Sequence, residues 1–257
     1  MNLEKMRTVY HIIKKSIFTV FLDRSFFIVL SLIVLINSAS LYFYEVIFTE
    51  QFHHSFQEPF LLSSISSSIL LMIYGGYLGN KFFIKEIEEK RMESLFMIPG
   101  GRDQVYFGKT LASVIILAII SLISFVNIYL SLSHWGILSS LTISRTAIYI
   151  LSAFYASLFT FFISIIIGLS SKKSNFSILF TTIYIVISFF VASVIFFPEE
   201  SLSIYTLVLI FPFLNVRYSG LFIREVGGLP NIFVLLPLIS ILIAFVVSHF
   251  KFRGVRL

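Results

Sequence analysis

Apolar residues in this chain come in long runs separated by short polar breaks, and the runs have the length of membrane-crossing helices. Phe26 to Phe48 is the first, 23 residues or roughly 34 Å of helix, set against a bilayer core of about 30 Å. Only Asn37 and the end-placed Glu45 interrupt it. Five more runs follow, and the pattern predicts an all-α membrane protein with spans at about 26–48, 60–83, 108–132, 144–169, 176–197 and 230–250. The strict apolar–polar alternation of barrel strands is absent from these runs.

Residues 1–24 follow a different rhythm from the single transmembrane domain expected over 25–257. Val9, Ile12, Ile13, Ile17 and Val20 project within about 140° of arc, with Thr8, His11, Lys14 and Lys15 opposite, which predicts an amphipathic interfacial helix. A cleaved signal peptide would need an apolar core of about 7–15 residues, and Phe26 to Phe48 is too long for one. Between the last two spans, the apolar run Ile204 to Phe213 is short, broken by Pro212, and followed by Arg217, Arg224 and Glu225. That stretch is expected to form short re-entrant outer helices.

Composition agrees with the pattern. Of 257 residues, 58% are hydrophobic and only 12% charged, where a soluble domain carries about 25% charged residues. Cysteine is absent, which removes disulfides, thiolate metal sites and cysteine nucleophiles. The net charge of +6 is a matter of topology: with six spans, sixteen Lys and Arg fall on one side and three on the other. The positive-inside rule then places both termini in the cytoplasm and the chain in the cell membrane as a multi-pass protein, with no nucleic-acid partner implied.

The candidate chemistry is mostly negative. Gly108-Lys109-Thr110 matches the tail of a phosphate-binding loop, but the motif needs a Gly at 103, where Asp103 stands, and Gly101 is seven residues away. No Ser-His-Asp or His-Glu-x-x-His arrangement and no intramembrane carboxylate pair is found, so no catalytic residue is assigned and the chain is not expected to be an enzyme by itself. His53 and His54, with Glu50 and Glu58, lack metal-ligand spacing, and no metal site is assigned. Within the spans, Ser64 and Ser68, like Gly75 and Gly79, stand four apart on one helix face, as residues of a pathway or of close helix packing. Asn37 and Asn127 carry the same two readings. Arg217, Arg224 and Glu225 are the outer candidates for an anionic headgroup or substrate.

The most informative stretch is Lys81 to Lys109, KFFIKEIEEKRMESLFMIPGGRDQVYFGK. Helical spacing pairs Glu86 with Lys90 and Lys85 with Glu88 and Glu89, predicting a solvated mixed-charge helix, followed by an apolar end at Leu95 to Ile98. A Glu-rich helix, Glu93, Leu95, Pro99, a polar turn and Gly108-Lys109 opening the next span together resemble the cytoplasmic loop of type-2 ABC transporter permeases. Lys90-Arg91 stands where that family usually has Gly-Thr. The resemblance implies a permease subunit of a two-component exporter, dimeric with a second permease subunit of the same or another kind. It also implies two copies of a separate ABC ATPase subunit that hold the ATP and magnesium, this chain binding no cofactor itself. The coupling residues it implies are Glu86, Glu88, Glu89, Lys90, Arg91, Glu93, Ser94, Leu95, Pro99, Gly100 and Arg102. A membrane scaffold that recruits a non-ATPase partner, and a channel or secondary carrier, are the alternative readings. The Phe-rich spans suit lipids, lipid-linked glycans, hydrophobic drugs or peptides as cargo.

Overall fold

A computed structural model of the chain describes residues 3–48, 58–97, 101–134, 140–194 and 231–255. Among these residues the helices are α1 (Leu3–Phe21), α2 (Arg24–Phe48), α3 (Glu58–Gly79), α4 (Lys85–Glu88), α5 (Arg91–Phe96), α6 (Gly101–His134), α7 (Ser140–Ser171), α8 (Ser174–Val194) and α9 (Asn231–Arg253), with a π-helical turn at Asn80–Ile84 and no strand. Four are long and apolar enough to cross a bilayer over Gly101–Ser131, Thr146–Ser171, Ser174–Val191 and Leu236–Arg253. The pair Met6–Phe21 and Arg24–Ala39, bent by 64°, makes a fifth if counted as one span. Against the six spans expected from sequence, four or five therefore meet this test among the described residues. The expected first and second spans fall on α2 and α3. Residues 199–229, with Arg217, Arg224 and Glu225, lie outside the described residues, as do His53, His54 and Trp135.

The most extensive helix pair is α3 with α7, and small residues explain it. A Cβ on Gly79 would sit 2.6 Å from the Phe161 carbonyl oxygen, and one on Gly75 would collide with the Ser157 carbonyl. Only hydrogen fits at either point, so the backbones meet directly and gain dispersion contacts that lipid would otherwise supply. Hydroxyls fasten the same region: Ser164 Oγ donates to the Gly76 carbonyl at 2.9 Å, and Ser177 Oγ on α8 donates to the Ser164 carbonyl at 2.9 Å. Elsewhere Asn37 ties three helices, accepting from Ser67 Oγ at 2.5 Å and donating to Ser124 Oγ at 3.2 Å. Ser68 is also buried, and Asn127 is half-buried with its Oδ1 unpartnered among the described residues. The Ser64 side chain lies outside the described residues.

α6 departs from the expected span, and α1 packs against it. At 34 residues, α6 is about 51 Å long and begins at Gly101, seven residues before the expected span, so it overshoots a 30 Å core by several turns. Gly101 opens it at φ +57°, a conformation that costs glycine nothing. The apolar stripe of α1 meets protein: Ile12 and Val20 are buried, and Ile12 fills the space where a Cβ on Gly108 of α6 would stand, 2.8 Å away. α1 thus packs along the first turns of α6.

Candidate functional site at the charged end of the bundle

One end of the bundle collects the π turn, α4, α5, the start of α6, the α7–α8 turn, the end of α9 and the Asp23 bend. The spacing predicts one solvated mixed-charge helix from Lys85 onward. The folded chain breaks it at Glu89–Lys90, because Lys90 takes φ +57°, left-handed and unfavourable for a side-chain-bearing residue. The break removes the expected Glu86–Lys90 pairing. The expected Lys85–Glu89 pairing is kept at 3.9 Å, and Glu89 also lies 2.8 Å from Arg91, with Lys85 and Arg91 well exposed.

Glu86 turns inward and pairs with Lys109 on α6. The Lys109 side chain is only 4% exposed, and its Nζ also donates to the Phe82 carbonyl at 2.9 Å. A lysine so enclosed is tolerated only because a carboxylate and a carbonyl replace its water. The pair ties the charged segment to the base of a long helix. Glu88 serves a different neighbour: its carboxylate accepts the Ser174 backbone N–H at 3.2 Å, at the start of α8, where a negative charge meets the helix dipole favourably. Asn80 completes that corner, donating to the Ser174 carbonyl at 3.0 Å and accepting from Ser174 Oγ at 2.8 Å.

Arg102 donates to the Arg253 carbonyl at 2.6 Å and stacks its guanidinium 5.0 Å over the Phe96 ring. Phe96 in turn packs edge-on to Phe252 at 5.5 Å, so α9 covers part of the apolar end that the sequence left open. Met97, next along, is 86% exposed. Of the residues assigned to coupling, Glu86, Glu88 and Arg102 are thus tied into the bundle, whereas Glu89, Lys90 and Arg91 face outward. The side chains of Glu93, Ser94 and Leu95, and residues Pro99 and Gly100, lie outside the described residues.

Two acidic residues here were not singled out from sequence. Asp23, in the bend between α1 and α2, accepts from Lys81 on the π turn and, at 2.8 Å, from the Tyr77 hydroxyl. Burial pushes its carboxyl up, but the bonds from Lys81, the Ser25 backbone N–H and Tyr77, with the Lys81 charge, hold it well below the usual carboxylate range. On the other side Asp103 of α6 receives Arg253 through two nitrogens and meets His249 Nε2 at 3.0 Å. The signal for Asp23 was an acidic residue between two apolar segments. Asp103 and Arg253 stand 150 residues apart, and no local pattern joins them.

The arrangement is a small charged module clamped to the ends of α3, α6, α8 and α9 around one helical bundle. Residues 22–188, from the bend through most of α8, match the family described as ABC-2 family transporter protein. This chain belongs to that family. No curated protein matches it. The ABC-2 permease is a membrane component of an ABC transporter and not itself its catalyst. Among the described residues, no group of three or more His, Cys, Asp or Glu side chains is placed to hold a metal ion.

Proposed function

We propose that this permease forms the substrate pathway of a two-component exporter in the cytoplasmic membrane, with both termini in the cytoplasm and ATP hydrolysed by a separate subunit present in two copies. A second permease subunit, identical or not, completes the pathway. The observation that carries the reading is the charged module itself, held by the pairing of half-buried Glu86 with buried Lys109 while Glu89, Lys90, Arg91 and Met97 face outward. A partner pressing on that outer face moves α4 and α5, and the pair passes the displacement to α6, a rigid helix long enough to reach across the bilayer. Hydrogen bonds from Glu88 and Arg102 carry the same movement to α8 and α9.

The test is to purify the tagged chain from its native membrane in mild detergent, identify co-purifying subunits by mass spectrometry and assay ATP hydrolysis. A stoichiometric ATPase whose retention falls on Arg91→Glu or Met97→Asp supports the reading, because both side chains are exposed and neither substitution disturbs the core. Recovery of the chain without any nucleotide-hydrolysing partner in several detergents moves the assignment to a scaffold or a channel.

A further inference from the structure

α3, the π turn and α4 run as one continuous helical stretch whose two ends are anchored separately. Upstream, Gly75 and Gly79 seat α3 on the backbone of α7. Downstream, Glu86 pairs with Lys109 of α6, and Glu88 accepts the Ser174 N–H at the start of α8. Between these anchors Lys85 N–H donates to the Asn80 carbonyl, five residues back, so the turn Asn80–Ile84 holds one residue more than an α turn. Nothing local asks for the widening: NKFFI contains neither Gly nor Pro, and the flanking Gly79 and Lys85 keep right-handed helical angles.

The partners of the two ends explain it. Asn80 and Glu88 both hold Ser174, Asn80 by its carbonyl and Oγ and Glu88 by its N–H. Eight α-helical steps of about 100° would leave these two residues about 80° apart around the helix, on different faces. With one residue absorbed in the π turn the count is seven steps, and the separation falls to about 20°. An unwidened turn would also bring Lys85 to the place of Glu86, against the enclosed Lys109, and Ile87 to the place of Glu88. Neither side chain can compensate a buried ammonium or accept from an N–H. We propose that the π turn is a register device for coupling: by absorbing one residue it sets Glu86 on Lys109 and Glu88 on Ser174 together, so that one movement of α4 reaches α6 and α8 at once. The inference rests on the reading of α4 and α5 as the face on which the ATPase bears.

The arithmetic makes a particular demand: removing one residue at this joint is harmless, and adding one is not. Deletion of Lys85, whose side chain is 60% exposed, leaves nothing to absorb, and an ordinary α turn then delivers Glu86 and Glu88 to the same partners. Melting of the full chain in detergent stays within about 2 °C of wild type for that deletion and for the side-chain control Lys85→Ala. An Ala inserted between Ile84 and Lys85 turns both carboxylates by about a further 100°, strands Lys109 and lowers the melting temperature by about 6 °C or more. The chain contains no cysteine, so spin labels at Lys14→Cys on α1 and Lys173→Cys just before α8, both exposed, report the position of α8 in the co-purified ATPase complex. The label distance changes between the nucleotide-free and ATP–vanadate states in wild type and in the deletion variant, and stays fixed in Glu88→Ala, which keeps ATP hydrolysis. A deletion as destabilising as the insertion overturns the register argument. An α8 response that survives Glu88→Ala, or that is lost in the deletion variant, overturns the coupling role. Absence of any ATPase from the complex defeats the docking reading and the coupling role with it, while the melting comparison still decides whether the π turn sets the register.

Discussion

The Glu86–Lys109 pair lends itself to a quantitative test, because its two members differ in their access to water. Lys109→Met leaves a Glu86 side chain that is 24% exposed, together with a Phe82 carbonyl that has lost its donor. Breaking a buried pair from one side costs about 3–5 kcal/mol. Partial hydration of Glu86 reduces that to about 2–3 kcal/mol. Glu86→Gln strands the cation instead, in a site where only 4% of the lysine side chain reaches solvent, and the full cost of about 3–5 kcal/mol applies. The double variant removes both charges and leaves neither stranded, so its loss falls short of the sum by about 2 kcal/mol. Reversible unfolding in mixed detergent micelles, followed by helical circular dichroism, measures all four proteins. Additivity within about 0.5 kcal/mol, or a larger loss for Lys109→Met than for Glu86→Gln, refutes the account of this pair as the tie between the charged module and α6.

Four further outcomes are expected. Lys90→Gly relieves about 1 kcal/mol of left-handed strain, part of which returns as unfolded-chain entropy, and raises stability by about 0.5 kcal/mol in the same unfolding assay. Gly79→Ala puts a methyl group 2.6 Å from the Phe161 carbonyl, 0.8 Å inside the 3.4 Å onset of ordinary contact, and costs about 1–3 kcal/mol. Gly254→Ala, whose new Cβ would meet nothing nearer than 3.5 Å, leaves the melting temperature unchanged. Because the Asp23 carboxyl is held below its ordinary value, its contribution is fully present above about pH 4, the unfolded value, and is lost as pH falls toward the folded one. Melting curves of the wild type thus fall away below about pH 4 more steeply than those of Asp23→Asn, which is less stable at pH 7.

Hydrophobic runs determined the all-helical class and the placement of the apolar helices among the described residues, because the bilayer demands long apolar helices with satisfied backbones. The small-residue face of α3 was equally legible, since Gly75 and Gly79 stand four apart and only a close neighbour justifies two glycines there. The charged segment was legible as an element and misread as a single helix. Spacing predicted Glu86 beside Lys90, a reading that assumes right-handed backbone throughout, and Lys90 at φ +57° breaks that assumption. Spacing supplied the local pair of Lys85 with Glu89, but not the partners of charges far apart along the chain. Glu86 meets Lys109 across 23 residues, Lys81 meets Asp23 across 58, and Arg253 meets Asp103 across 150. Periodicity reports which face of a helix is apolar, through burial that each residue experiences separately. An ion pair is a property of two residues, and only the tertiary arrangement of α1, α6 and α9 around the charged end brings these charges within reach of one another.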